Sequence, residues 1–341
     1  MKKIIYYITD HGKGHATRSI EIIKKLKKNN FDVTVRNSNA KEMLKHEIPE
    51  CKIINGLTDV GPIIKKNGFS IDEKKSIEQV SKWIDRIEEI CYKEIDLFSK
   101  IKPDLVISDI SPMPLYAAKK LEISSIAISN FSWYDVLKFI PKSHLVKLKR
   151  FYDCADLAIK LPLGTEMNHF QKRLKVGLIS RQTTRTKVKI RKELGIKKES
   201  KIVLFALSGS DHVIQSKKGD CVEYVSLNTK INHKLNPIEF KQVMDGQNYV
   251  LASDLVIGKC GYGLISECLM NGIPFFYVAD ESHLEQMGIE KDLLKRGIKT
   301  RRTFEEIDAT NYDHNFLNSI KKPKKEKNDI ENIINNIKKL L

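Results

Sequence analysis

Apolar and polar positions along the chain fall into short blocks whose period changes repeatedly. Residues 3–9 form an apolar run of strand length. Ile20, Ile23 and Leu26 then recur at helical spacing within residues 17–29. Residues 31–36 alternate as a second strand, and residues 52–55 form a weaker third. A long amphipathic helical pattern over residues 76–100 stops at Pro103. A buried-type strand at 105–108, a helix at 115–121 and a strand at 125–129 follow. Strands separated by helices imply βαβ units, hence a parallel sheet with right-handed crossovers.

A second series starts further on. Residues 201–207 and 222–227 read as strands, 240–252 as a helix, and 254–257 as a short strand. A helix at 264–270 and a strand at 275–278 complete it. Between the two series, residues 161–198 are basic and lack periodicity until 188–194, so the connection is placed in 162–186. The tail beyond Pro323 carries one amphipathic helical pattern at 329–340. The predicted fold class is α/β, with two Rossmann-like domains facing a cleft. The expected division is 1–160, 161–322 and a C-terminal helix in 323–341. A length of 341 residues suits two domains of ordinary size, and no internal repeat of fixed period occurs.

Composition narrows the class. Hydrophobic residues make up 41% and charged residues 30%, which suits a folded globular chain rather than a disordered one. The longest uncharged apolar stretch is interrupted by Asn271, Gly272 and Pro274, so no membrane-spanning run is present. The apolar part after Met1-Lys2-Lys3 is too short for a secretory signal, and a cytoplasmic location is expected. The six cysteines include no C-x-x-C pair, which speaks against a disulfide framework or zinc site. The net charge of +17 comes mostly from lysine: only 11 of the 60 basic residues are Arg. With no Arg cluster and no interleaved aromatics, a nucleic-acid partner is not expected. The favoured account is a Lys/Ile/Asn-rich bias. The alternative is attraction to phosphate-bearing substrates or an anionic membrane, for which the basic amphipathic stretch 138–150 is the candidate contact.

Three blocks carry candidate chemistry. The first is Asp10-His11-Gly12-Lys13-Gly14-His15-Ala16-Thr17-Arg18, between the first strand and first helix. Its glycines permit a tight turn with N–H groups facing a ligand, and its histidines suit proton transfer near neutral pH. A plain surface turn with solvated histidines explains the same residues equally well. The second is Asp109, at the end of the strand 105–108. Carboxyl ends of parallel strands share one rim, so Asp109 can reach the first block and orient a histidine there. A helix-capping Asp is the commoner explanation. The third runs from Asp254 to Glu267: a strand, a glycine-rich turn and a helix. Backbone N–H groups of Gly261, Tyr262 and Gly263 suit a diphosphate, with Lys259 beside them. Glu267, a turn on, suits two vicinal ribose hydroxyls. A polar group at Asp280, Glu281, His283, Glu285 and Gln286 follows the next strand. Ser208-Gly209-Ser210 and Asn130-Phe131-Ser132-Trp133 each follow a strand and are weaker candidates. Phe131 and Trp133 fit core packing equally well. No D-x-D, Walker A, H-E-x-x-H or nucleophile-elbow pattern occurs.

Together these blocks resemble the two-Rossmann-domain (GT-B) glycosyltransferases. They are similar to relatives of the lipid-intermediate N-acetylglucosaminyltransferase of peptidoglycan synthesis and to small-molecule UDP-glycosyltransferases. The nearer resemblance is to the glycosyltransferase-like N-terminal half of plant arabinokinase-type proteins. It rests on Tyr7 to Arg18, Ser108-Asp109 with Asn130 to Trp133, and Ile257 to Glu267, and it spans residues 1 to about 296. The sugar-kinase half of those proteins is not part of this chain, and the stretch between Leu207 and Val222 is too short for the helix usual there.

The resemblance implies an N-terminal acceptor-binding domain, a C-terminal nucleotide-sugar domain, and a final helix that returns to the first domain. It implies an inverting, metal-independent glycosyltransferase with no cofactor, using a nucleotide-diphosphate sugar, UDP-linked by expectation. In that reading His15 is the catalytic base and Asp109 orients it. The donor would be held by Gly12, Gly14, Ser208, Gly209, Ser210, Lys259, Gly261, Tyr262, Gly263, Glu267, Glu285 and Gln286. The acceptor, lipid-linked in one version, would be held by His11, Arg18, Asn130 and Trp133. Two alternatives remain: a catalytically silent nucleotide-sugar-binding protein or subunit, and a nucleotide-sugar epimerase on the same fold.

Overall fold

The first apolar run forms strand β1 (Lys3–Ile8), buried from Ile4 onward. A strand buried on both faces belongs inside a covered parallel sheet. In the computed structural model, which describes residues 1–12, 14–241 and 244–341, that sheet is one of two. The chain separates into two units. One comprises Met1–Ile63, Ile71–Ile179 and Asn328–Leu341; the other comprises Ile64–Ser70 and Ser180–Lys327.

In the first unit β1 is followed by α1 (Gly14–Lys28), β2 (Asp32–Arg36), α2 (Lys41–Glu47) and β3 (Lys52–Ile54). Next come α3 (Glu73–Asp85), α4 (Ile87–Ile101), β4 (Leu105–Asp109), α5 (Met113–Lys120) and β5 (Ser124–Ser129). The expected single helix over 76–100 is two helices, because the chain leaves helical geometry at Arg86 (φ −95°, ψ 3°). After α6 (Trp133–Val136) and α7 (Lys142–Tyr152), β6 (Leu157–Lys160) and β7 (Arg173–Lys175) extend the sheet. Its order is β3-β2-β1-β4-β5-β6-β7, all parallel. β7 and the chain around it carry the first unit past residue 160, to Ile179.

The basic segment α7 is spent on this unit. Leu148, Phe151 and Tyr152 are buried in its core. Lys147 donates to the Asp85 carbonyl, Lys149 to Asp153, and the Lys138 ammonium sits 3.7 Å over the Tyr134 ring. Phe139 and Leu145 are partly buried against the same core, and Val146 is exposed. Among the described residues no helix is long and apolar enough to cross a membrane.

The second unit holds α8 (Lys187–Glu193), β8 (Lys201–Ala206), β9 (Lys217–Lys218), β10 (Val222–Leu227) and β11 (Ile238–Phe240). It continues with α9 (Gly246–Ala252), β12 (Leu255–Lys259), α10 (Tyr262–Asn271), β13 (Phe275–Val278) and α11 (Leu284–Lys295). The helix expected from 240 is shorter because residues 238–240 pair with β10 as a strand. The sheet order is β11-β10-β8-β12-β13, again parallel. No helix is seen in the described chain between β8 and β10. That face of the sheet is covered instead by α12 (Phe304–Ala309), β14 (Asn311–Tyr312) and α13 (His314–Ser319). Ile307, Tyr312 and Leu317 pack there with Phe205 and Tyr224.

The final helix α14 (Ile330–Lys338) belongs to the first unit and packs on α1. It buries Ile330, Ile333, Ile334 and Ile337. Asp329, just ahead of it, accepts the Gly177 N–H at 2.6 Å.

Candidate functional site

In the first unit the chemistry gathers at the carboxyl ends of β1, β4 and β5. The register sets Ile8 beside Asp109, so the turn after β1 and the end of β4 share one rim. His15 lies in the first turn of α1, with Nδ1 3.2 Å from Asp109 Oδ1. Arg18, one turn on, dominates the cluster. It donates through Nε to Asp109 Oδ2 at 2.8 Å and through Nη2 to Oδ1 at 2.6 Å. It also donates to Asn130 Oδ1 at 2.5 Å and Ser129 Oγ at 3.0 Å. Ser19 Oγ adds a donor to Asp109 Oδ2 at 2.9 Å. Arg18 is only 2% exposed. Arg18 and its partner Asn130, both expected on the acceptor side, are buried in this network.

This arrangement bears on proton transfer. Arg18 Nη2 lies 2.6 Å from His15 Nδ1, closer than Asp109 does. A guanidinium only donates. The shorter contact therefore makes Nδ1 an acceptor and puts the proton of neutral imidazole on Nε2, which then donates outward. A base at Nε2 needs the other tautomer, with Nδ1–H turned to Asp109. Burial alone would raise the Asp109 carboxyl. The charges of Arg18 and then His15 outweigh it and hold that carboxyl well below the usual range.

Immediately after Asp109, Ile110 adopts φ 72°. A β-branched residue there is strained by about 1–3 kcal/mol. Its carbonyl accepts the Tyr152 O–H at 2.7 Å, and the Tyr152 hydroxyl oxygen in turn accepts the Trp133 N–H at 3.0 Å. Around the rim, His15 meets Phe131 edge-on at 5.4 Å and His11 meets Trp133 edge-on at 5.2 Å. Gly12 (φ 78°) and Gly14 lie in the same turn, with open space where a Cβ would stand. Lys13 of this block lies outside the described residues.

In the second unit the corresponding rim collects the donor candidates. After β8 the chain turns through Ser208, Gly209 (φ 80°) and Ser210, with Asn228 Nδ2 donating to Ser208 Oγ at 2.7 Å. β12 ends at Lys259, and the N-cap of α10 is Gly261, in extended geometry, which has no side chain to offer that helix. Burial lowers the affinity of the Lys259 ammonium for its proton. It donates to the Gly68 carbonyl, 2.5 Å away, and sits 4.6 Å over the Phe69 ring. Glu267 is buried, and its Oε1 accepts from Arg181 Nε at 2.8 Å. Burial raises that carboxyl despite the arginine. Gln286 Oε1 accepts the Asp280 N–H at 2.8 Å, and Glu285 stands in the first turn of α11. A cleft of about 740 Å³ runs beside this rim, lined by Gly209, Ser210, Asn228, Thr229, Glu239 and Phe240 among others.

Residues Ile64–Ser70 join this rim from early in the sequence. Gly68 (φ 79°) lies so close to Gly209 that an added Cβ would stand 1.9 Å from the Gly209 carbonyl oxygen. Ser70 Oγ donates to Asp280 at 2.5 Å. Neither this segment nor Arg181 was marked by the sequence: both sit in stretches without periodicity or a glycine-rich motif. Among the described residues, no three His, Cys, Asp or Glu side chains are grouped to hold a metal ion.

Comparison with known proteins agrees with the strand orders. The sequence profile described as glycosyl transferase family 1 matches residues 2–320. An L-arabinokinase of Arabidopsis thaliana is 29% identical over 291 residues, covering 80% of this chain and 28% of that protein. This chain thus spans just over a quarter of that relative. Among solved structures, the glycosyltransferase SsfS6 of Streptomyces sp. SF2575 aligns with TM-score 0.61 at 14% identity, over 98% of this chain and all of that one. The same protein complexed with thymidine diphosphate gives 0.60 at 13%, over 99% and 100%. Arabidopsis thaliana UGT89C1 complexed with UDP gives 0.59 at 12%, over 88% and 86%. These likenesses carry the two-Rossmann-domain fold.

Proposed function

The chain belongs to glycosyl transferase family 1, and on that premise we propose that it is a metal-independent, inverting transferase. It moves a sugar from a nucleoside-diphosphate donor to an acceptor hydroxyl. The observation that carries this reading is the start of α10. A helix opening on a glycine N-cap at the end of a strand stands beside Lys259, whose ammonium meets the Gly68 carbonyl and the Phe69 ring. Fixed dipoles and a cation so arranged stabilise a departing diphosphate without a metal. Bound thymidine diphosphate and UDP in the similar folds support the choice of donor class.

In the reaction the acceptor oxygen attacks the anomeric carbon. The new C–O bond forms as the bond to the diphosphate breaks, and its electron pair leaves with the diphosphate oxygen. The acceptor proton passes to His15 Nε2 once Arg18 Nη2 has released Nδ1, whose N–H then turns to Asp109. Ser208 to Ser210 and the Gly261 to Gly263 turn hold the diphosphate. Glu285 and Gln286 face the sugar, and Glu267 meets the ribose once Arg181 yields an oxygen.

Loss of a general base typically costs 10²–10⁴-fold in rate. His15→Ala is expected to lower nucleoside-diphosphate release by that factor while leaving UDP affinity within about twofold. Undiminished turnover removes His15 from the mechanism, and His11 is next in line. A second reading, a nucleotide-sugar-binding protein without transfer, is favoured by the Arg18 contact to His15 Nδ1. UDP binding without donor turnover in the unmodified protein decides for it.

A further inference from the structure

Behind the His11 turn lies a carboxylate that no motif marks. Asp59 follows β3 and is 2% exposed. Its Oδ1 accepts from Thr9 Oγ1 at 2.7 Å and from the Asp10 N–H at 3.1 Å. Its Oδ2 accepts from Trp133 Nε1 at 2.9 Å. Thr9 Oγ1 in turn accepts the His11 N–H at 3.1 Å, and the Trp133 ring meets the His11 ring edge-on at 5.2 Å. The contacts close on themselves: His11, Thr9, Asp59, Trp133 and back to His11. Two residues on, Gly61 makes room for the pair. A Cβ there would stand 2.4 Å from His11 Nδ1 and 2.7 Å from Trp133 Cη2.

We propose that Asp59 is a positioning residue for the acceptor side of this site. It locks the His11 turn against the buried Trp133 indole, and so fixes how the half-buried His11 ring is presented on the side an acceptor would meet. The inference rests on the transferase reading only in naming that side; the locking itself is a property of the chain alone. Three donors converge on one carboxylate, two from the β1–α1 turn and one from the start of α6. That carboxylate ties the β1–α1 turn to the start of α6, which follow strands β1 and β5 that do not pair directly.

The carboxylate also carries a spectroscopic handle. Burial pushes Asp59 up to about 7. The Thr9, Trp133 and Asp10 N–H bonds pull it down, and the Asp10 charge pushes it up. The titratable groups facing it are Asp10 and His11 on the β1–α1 turn and Tyr152 on α7, whose hydroxyl Asp59 raises further. Asp10 is itself held by the Ser38, Asn39 and Thr58 N–H groups.

The test uses the full chain with Trp83→Phe, which leaves Trp133 as the single tryptophan. Its emission is expected to titrate with a midpoint near 7, and Asp59→Asn is expected to abolish that transition. In parallel, the His11 ring signal in a histidine ¹H–¹³C spectrum, assigned through His11→Gln, is expected to shift in Asp59→Asn as the ring leaves the indole. The signals of His233 and His314 in the second unit stay in place. Flat emission across this range, an unchanged midpoint in Asp59→Asn, or an unmoved His11 signal overturns the proposal. UDP affinity, measured separately by calorimetry, reports on the transferase reading and is expected to be the same in both proteins.

Discussion

Arg18 shows how one side chain can redirect a motif. The block around His15 and the strand end at Asp109 were both legible in the sequence, because glycine spacing and strand ends are local signals. What occupies the space between them was not. Arg18 stands one helical turn beyond His15, and only the β1–β4 register brings it onto Asp109. Asp59 was illegible for the same reason, since its partners lie 49 to 74 positions away in sequence. Removing one partner of a buried ion pair typically costs about 3–5 kcal/mol, because the other charge is left unpaired. Arg18→Ala is expected to destabilise the first unit by about that amount, read as a lower urea midpoint. Arg18→Lys is expected to recover little of it, because one ammonium cannot replace the fork. The pH dependence has a definite sign. The folded Asp109 is depressed, so its contribution is present above the unfolded value and is lost only as pH falls through the lower folded one. Without Arg18 the folded value rises, and acid unfolding is expected to begin at a higher pH. An unshifted acid limb contradicts the assignment of Arg18 as the main cation.

At the scale of elements, strands were easier to read than the segments that cover them. Val222–Leu227 and Phe275–Val278 fall where the apolar runs place them. β6 and β7, in the basic stretch without periodicity, went unseen because only neighbouring strands specify them. The short connection after β8 signalled a missing helix, but not its replacement by α12, β14 and α13, which lies about a hundred residues away. The C-terminal helix α14 is the clearest case of a local pattern with a distant use. Its four isoleucines fall on one face, and that face packs in the first unit. Truncating a fully buried isoleucine to alanine costs about 2–5 kcal/mol. Ile333→Ala is expected to lose that much stability in a urea melt, while the second unit's affinity for UDP is unchanged. A loss below about 1 kcal/mol would show that α14 packs only loosely on α1 in solution.

For the whole molecule, two separately built sheets mean that ligand effects should be local. Unfolding of such a chain need not be a single two-state transition, so a midpoint alone would mislead. The proposed donor residues all lie in the second unit except Gly12 and Gly14, which stand in the histidine turn of the first. A ligand at 100 times its dissociation constant stabilises the unit that binds it by about 2.7 kcal/mol. That corresponds to roughly a hundredfold slowing of hydrogen exchange in segments that open only when that unit unfolds. UDP is therefore expected to protect residues 205–212 and 259–267, at the turn after β8 and the start of α10. Ile64–Ser70 provides an internal comparison. Its Gly68 carbonyl holds Lys259, and its Ser70 hydroxyl holds Asp280. If the diphosphate takes Lys259 for itself, exchange in that segment should rise while its neighbours slow. Slower exchange at 64–70 together with 259–267 would instead show the segment closing over the nucleotide. Protection confined to the first unit, with UDP and thymidine diphosphate alike, would remove the second unit from donor binding and with it the role given to α10.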